Sequence, residues 1–170
     1  ESLPHPHTQL AVVPFDTKMD IPRLAFDNEL SKVAKNQESK ETENFMLFCP
    51  LTSQWPDEVW ISPKKRGRAF SEIISTEISD LAHILTRLTQ LLDLRHGNEF
   101  PYNFYIYPGG DWYLRLIPRL KSLGGFEIGT GVFINTQDPK ETIKFIKEHF
   151  ENPNEEKIRK KHQAEYGRGV

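Results

Sequence analysis

His5 and His7 stand two residues apart with Pro6 between them, and Gln9 follows two residues later. Pro6 fixes its own φ and pushes His5 into an extended conformation. In an extended chain residues i and i+2 project from one face, so His5, His7 and Gln9 share a face, with the two imidazoles roughly 6.5 Å apart along it. An imidazole beside an amide and backbone N–H groups suits a nucleophile that attacks phosphorus. Two exposed histidines near a chain end are the plainer reading of so short a motif.

Elements must position these groups. Leu10, Ala11, Val12 and Val13 continue the motif as a strand, and residues 16–20 turn the chain. From Asp20, a candidate N-cap, Leu24, Leu30, Val33 and Ala34 mark an imperfect helical stripe that fades near Lys35. Residues 36–44 are polar and read as a linker or exposed loop. Short strands follow at 45–48 and 58–61, punctuated by Pro50, Pro56 and Pro63. Ser75 or Thr76 should cap a helix with Ile78, Leu81, Ala82, Leu85, Leu88 and Leu92 on its apolar face, ending near His96-Gly97-Asn98. Residues 100–107 and 112–117 read as a hairpin around Pro108-Gly109-Gly110-Asp111. Residues 126–134 read as a glycine-punctuated strand. Asp138-Pro139-Lys140-Glu141 should start a helix carrying Ile143, Ile146 and Phe150. The polar tail from Glu151 reads as helical. Strands with a long and a terminal helix predict an α+β fold, an antiparallel sheet covered by helices.

Bulk properties narrow the classes. A chain of 170 residues can bury a real core. A net charge of −2 gives no basic footprint for nucleic acid and no attraction to anionic membrane. No apolar run reaches membrane-spanning length. The one cysteine, Cys49, excludes an internal disulfide, and with no N-x-S/T sequon the expected compartment is reducing and cytoplasmic. Cys49 reads as buried and inert. Trp55, Trp60 and Trp112 read as core or interface anchors. The run Lys64-Lys65-Arg66-Gly67-Arg68 reads as a solvated loop rather than a phosphate or nuclear-import site. His83 falls on the polar side of the long helix, and His96 near its C-terminal end, where the dipole favours a cation.

Ser2…His5-Pro6-His7-Thr8-Gln9 resembles the active-site motif of the galactose-1-phosphate uridylyltransferase branch of the histidine-triad superfamily. The likeness extends through FMLFCPLTSQWPDEVWISP (45–63), Pro101-Tyr102-Asn103-Phe104 and Gly124-Gly125-Phe126-Glu127-Ile128-Gly129-Thr130-Gly131. The last of these, with Ile134-Asn135 and Pro139 after it, is most similar to the ADP-glucose phosphorylase subgroup. The matching segments keep their order over residues 1–150.

This resemblance implies two fused histidine-triad-like domains. Residues 1–44 would be the C-terminal part of the first, with its active-site strand. Residues 45–150 would be the second, and 151–170 a polar tail. The chain opens inside that strand, so a piece of a longer protein is expected, with little turnover on its own because most of the base-binding half is missing. His7 would be the nucleophile, attacking a nucleoside-diphosphate sugar to form a nucleotidyl-histidine and release a sugar 1-phosphate. A sugar 1-phosphate or phosphate acceptor would then collect the nucleotide. Gln9 and Ser2 would contact the phosphoryl group, although a turn serine is the plain alternative for Ser2. An amide cannot shuttle a proton as a third histidine does, so Gln9 favours transfer over the hydrolysis run by related enzymes. His5 matches a position that can ligate structural zinc with upstream residues absent here; in this fragment it reads as strand support. Family metal positions in the second domain fall on Tyr107, Tyr113 and Arg115, poor ligands, so no metal is expected there. Phe126 and Glu127 are sugar-site candidates across a homodimer, against a core aromatic and an edge carboxylate as the bland alternative. A non-catalytic sugar-phosphate-binding or dimerisation module is the competing function.

Overall fold

The computed structural model describes residues 23–36, 38–97, 100–107 and 109–166. Helix α1 (Arg23–Asn36) leads to strands β1 (Lys40–Glu41), β2 (Phe45–Phe48) and β3 (Val59–Pro63). A short 3₁₀ turn (Phe70–Glu72) precedes the long helix α2 (Ser75–His96). The hairpin β4 (Tyr102–Tyr107) and β5 (Tyr113–Pro118) follows, then α3 (Gly125–Thr130), α4 (Pro139–His149) and α5 (Glu155–Tyr166). The five strands form one antiparallel sheet in the order β1-β2-β3-β5-β4. The expected α+β architecture is the one observed.

Side chains alternate across a pleated strand, and here both faces are covered. On one face Phe45, Leu47, Val59, Ile61, Leu114 and Leu116 pack with Leu81, Ile84, Leu88 and Leu91 of α2, Ile143 and Ile146 of α4, and Ile158 of α5. On the other, Phe48, Trp60, Tyr107 and Tyr113 pack with Phe26 and Val33 of α1. Trp60 and Trp112 are buried, as is Cys49, whose thiol burial pushes well above its ordinary pKa, the inert state expected of it.

Four local expectations need correction. Lys40 and Glu41 lie in the stretch read as loop, yet they pair with Leu47 and Met46 as an edge strand. Two charged residues signal no strand by pattern; the ladder of β2 recruits them. Helix α2 is capped at Ile74, not at Ser75 or Thr76: the Ile74 N–H donates to the Glu77 carboxylate at 3.1 Å, half of a capping box. Its buried face runs through Glu77, Leu81, Ile84, Leu88 and Leu91, leaving Ile78 and Ala82 outside. The segment 126–134 is not a strand. Gly124 donates to Glu127 at 3.1 Å, the turn closes into α3, and Gly131 ends it at φ +68°, a left-handed conformation natural to glycine.

Helix α4 starts as expected, with the Asp138 carboxylate accepting from Lys140 N at 2.9 Å and Pro139 in the first turn. Its last turn holds His149, buried beside Phe145 at 5.1 Å between ring centroids, with Nδ1 unpartnered among the described residues. Burial pushes the His149 pKa below its ordinary value; Glu148 pulls it up and Lys157 pushes it further down. Between the folded value and the unfolded value of about 6.5, only the unfolded chain takes up the proton. Stability from this site is therefore complete above that window and falls as pH drops through it. Urea midpoints measured across the window should decline for the native chain and stay flatter in His149→Phe.

Candidate functional site

Ser2, His5, His7 and Gln9 lie outside the described residues. Helix α1, which follows them in the chain, is described, and the sheet holds it firmly. The Phe26 ring stacks on Tyr113 with centroids 4.0 Å apart and planes 4° from parallel, and lies 5.8 Å from Trp60. Tyr107 stacks on Tyr113 in turn at 4.5 Å. Glu29, buried on the same helix, accepts from the Leu51 N–H at 3.2 Å and pairs with Lys32 at 2.8 Å.

Arg66 latches this helix from the other side. Its guanidinium sits 4.5 Å over the Phe26 ring, donates to Ser62 Oγ at 2.6 Å and to Asp111 at 2.5 Å, and lies 3.7 Å from Asp27. One side chain thus joins α1, the end of β3 and the β4–β5 turn. Lys64 pairs with Glu41 at 2.9 Å, and Arg68 pairs with Glu77. So three members of the basic run, Lys64, Arg66 and Arg68, act as fasteners through acidic partners, while Lys65 stays exposed as expected of a solvated loop. Replacing Arg66 by alanine should cost about 1–3 kcal/mol through charge-assisted bonds and the cation–π contact. Amide exchange of α1 should accelerate more than that of β3. Arg66→Lys should recover little, since an ammonium has no planar fork.

The positions matched to family metal ligands hold a different device. Arg115 Nε donates to Glu58 Oε1 at 2.7 Å, and its Nη2 reaches Glu58 Oε2 and Gln54 Oε1, each at 3.1 Å. Burial pushes the Arg115 pKa down, but the bonds and charge of Glu58 more than reverse this and hold it above the ordinary value. A guanidinium committed to a carboxylate, beside stacked phenols, does not fit a metal ion. Among the described residues no three His, Cys, Asp or Glu side chains are placed to hold one.

Phe126 and Glu127 lie on α3, a helix with no buried residue. Phe126 is 54% exposed, which removes the core-aromatic alternative. Glu127 closes the first turn of α3 and lies 3.7 Å from Lys121. Its carboxyl is held below the usual range by backbone hydrogen bonds and the lysine. The segment is fastened at its far end: Asn135 Nδ2 donates to the carbonyls of Ser53 at 3.1 Å and Trp55 at 3.2 Å. Trp55 is half-buried against Phe133, with Arg119 and Lys121 over its ring.

Sequence reasoning passed over Asp57, Glu58 and Asp111. The Asp57 carboxylate accepts from Thr142 Oγ1 at 2.7 Å and Gln137 Nε2 at 2.6 Å, and meets His96 Nε2 at 2.6 Å and Arg95 Nε at 3.2 Å. Burial pushes the Asp57 pKa up, but His96, Arg95 and Thr142 outweigh it and hold it below the usual range. His96, read only against the helix dipole, is spent on this pair. The signal available was a Pro-Asp-Glu run opening a strand, which names no partner.

An antiparallel sheet clad by helices on both faces makes this an α+β domain, with the His5-Pro6-His7-Thr8-Gln9 motif in the chain before α1. In sequence and fold the chain is similar to ADP-glucose phosphorylases and galactose-1-phosphate uridylyltransferases. The chain is 27% identical over 168 residues to the ADP-glucose phosphorylase of Arabidopsis thaliana, covering 86% of this chain and 48% of that protein. It is 27% identical over 176 residues to the galactose-1-phosphate uridylyltransferase of Thermotoga maritima, covering 86% and 55%. The crystal structure of an ADP-glucose phosphorylase from Arabidopsis thaliana with bound ADP-glucose superposes with a TM-score of 0.61 at 25% identity, covering 75% of this chain and 50% of that one. No family model matches. The chain spans about half the length of the curated relatives it matches.

Proposed function

We propose that this chain is part of a nucleotidyltransferase that acts on a nucleoside-diphosphate sugar through a covalent intermediate on His7. The observation that carries the reading is the likeness to the ADP-glucose phosphorylase sequence over 86% of the chain, joined to the His-Pro-His-Thr-Gln motif. A neutral imidazole nitrogen of His7 attacks the α-phosphorus, and the bond from that phosphorus to the bridging oxygen breaks. The sugar 1-phosphate leaves with the electron pair. A phosphate oxygen of the acceptor, either a sugar 1-phosphate or phosphate, then attacks the same phosphorus and frees His7. Gln9 donates to the phosphoryl oxygens as charge develops, and Ser2 assists. Phe126 and Glu127 contribute to the sugar site, in a cytoplasmic homodimer. Zinc held by His5 and further residues would be structural and enters no step.

The test is intact-mass spectrometry on the polypeptide at its relatives' full length, mixed with ADP-glucose or UDP-glucose. A nucleotidyl adduct on His7, discharged by phosphate or a sugar 1-phosphate, is the expected result. No adduct with any nucleotide sugar would leave a non-catalytic binding or dimerisation module. Prompt release of free nucleotide into water would identify a hydrolase.

A further inference from the structure

The segment 119–137 has no apolar anchor of its own at α3. Phe126, Ile128, Val132 and Ile134 all face outward, Ile128 at 72% exposure. Its internal closure is Lys121, which donates to the Ile134 carbonyl at 2.5 Å and lies 3.7 Å from Glu127. Its hold on the rest of the molecule lies in the turn at residues 53–57. There Asn135 binds the Ser53 and Trp55 carbonyls, Phe133 meets Trp55, and Gln137 reaches Asp57.

Asp57 joins that hold through Gln137 and ties it to the neighbouring helices. It is 2% exposed, and it is the one non-glycine residue at positive φ among the described residues, at +54°. An aspartate in the left-handed region persists when its surroundings over-determine it. Its two oxygens divide the work. Oδ2 takes the end of α2 through Arg95 and His96; Oδ1 takes Gln137 and Thr142, at the entry to α4. Thr142 Oγ1 also accepts from Gln137 Nε2 at 2.9 Å, which closes a ring of bonds.

We propose that Asp57 is the positioning residue of the 119–137 segment, docking it on the 53–57 turn and thereby setting where Phe126 and Glu127 stand. The consequence for substrate rests on the reading of those two residues as sugar-site groups; the docking itself does not.

The experiment compares Asp57→Asn and Asp57→Gly with the native chain. Asparagine keeps the shape and one acceptor but turns an N–H₂ toward a donor. Glycine relieves the backbone conformation and removes the carboxylate, so a fold that survives in it isolates the loss of the bonds. Amide exchange of residues 121–137 should rise about tenfold in Asp57→Gly, and less in Asp57→Asn, which keeps one acceptor, while β3 and β5 stay protected, because the bonds lost are local. A uniform rise across the sheet, or no change in 121–137, would overturn the proposal. In the full-length polypeptide, KM for the nucleoside-diphosphate sugar should rise about tenfold, with the His7 adduct still forming in full at saturating donor, since only positioning is lost. A loosened segment with an unchanged KM would keep the docking role and remove Phe126 and Glu127 from the sugar site.

Discussion

Glu58→Ala should lower the unfolding free energy by about 3–5 kcal/mol, the cost of breaking a buried ion pair by removing one partner. Glu58 is 2% exposed and Arg115 3%. The carboxylate gathers donors from four residues. Arg115 supplies Nε and Nη2, Trp60 its indole N–H at 2.6 Å, and the backbone N–H groups of Gln54 and Trp55 come in at 3.1 and 3.3 Å. Removing it strands a guanidinium, an indole N–H and two backbone N–H groups at once. Arg115→Met should cost less, about 1–3 kcal/mol, because Glu58 keeps three of its donors and the methionine fills the apolar part of the space. Urea denaturation of the two variants tests this ordering. Equal losses would mean that the guanidinium, not the carboxylate, organises the cluster. The sheet register brings the partners together: Trp60 pairs directly with Arg115, and Glu58, just before β3, lies within reach of both the Trp60 indole and the Arg115 guanidinium.

Short apolar runs bounded by turn residues made β2, β3 and the β4–β5 hairpin legible, and helical spacing with the Asp138-Pro139 start did the same for α2 and α4. The segment 126–134 was not legible, because its exposed Phe126, Ile128, Val132 and Ile134 imitate a half-buried strand while Gly124, Glu127 and Gly131 close a helical turn. The fasteners were invisible for a different reason. Asp57 meets Gln137 and Thr142, Glu58 meets Arg115, and Arg66 meets Asp111, all pairings made by the sheet between residues far apart in the chain. A linear pattern names a charge but not its partner. The chemistry of the motif at residues 2–9 is the reverse case. Residue types and spacing suggest it and the resemblance of the segments downstream carries it, while its geometry lies outside the described residues.

His7→Ala in the full-length polypeptide should abolish the nucleotidyl adduct and cut turnover by at least about 10³-fold, the scale seen when a covalent nucleophile is removed. The proposed route has no second nucleophile to take its place. On the proposed reading His5 would be committed to support or to a structural ion, and the Gln9 amide is not basic enough to attack phosphorus. The loss should be chemical rather than structural. The helix that follows the motif is fixed by Phe26 on Tyr113, Glu29 on Leu51 and Arg66 over Phe26, so the urea midpoint should stay close to the native one. Gln9→His offers the complementary test. An imidazole there can carry a proton to and from water where an amide cannot, so the adduct should still form and should lose its nucleotide to water faster. An adduct that survives in His7→Ala would move the nucleophile elsewhere.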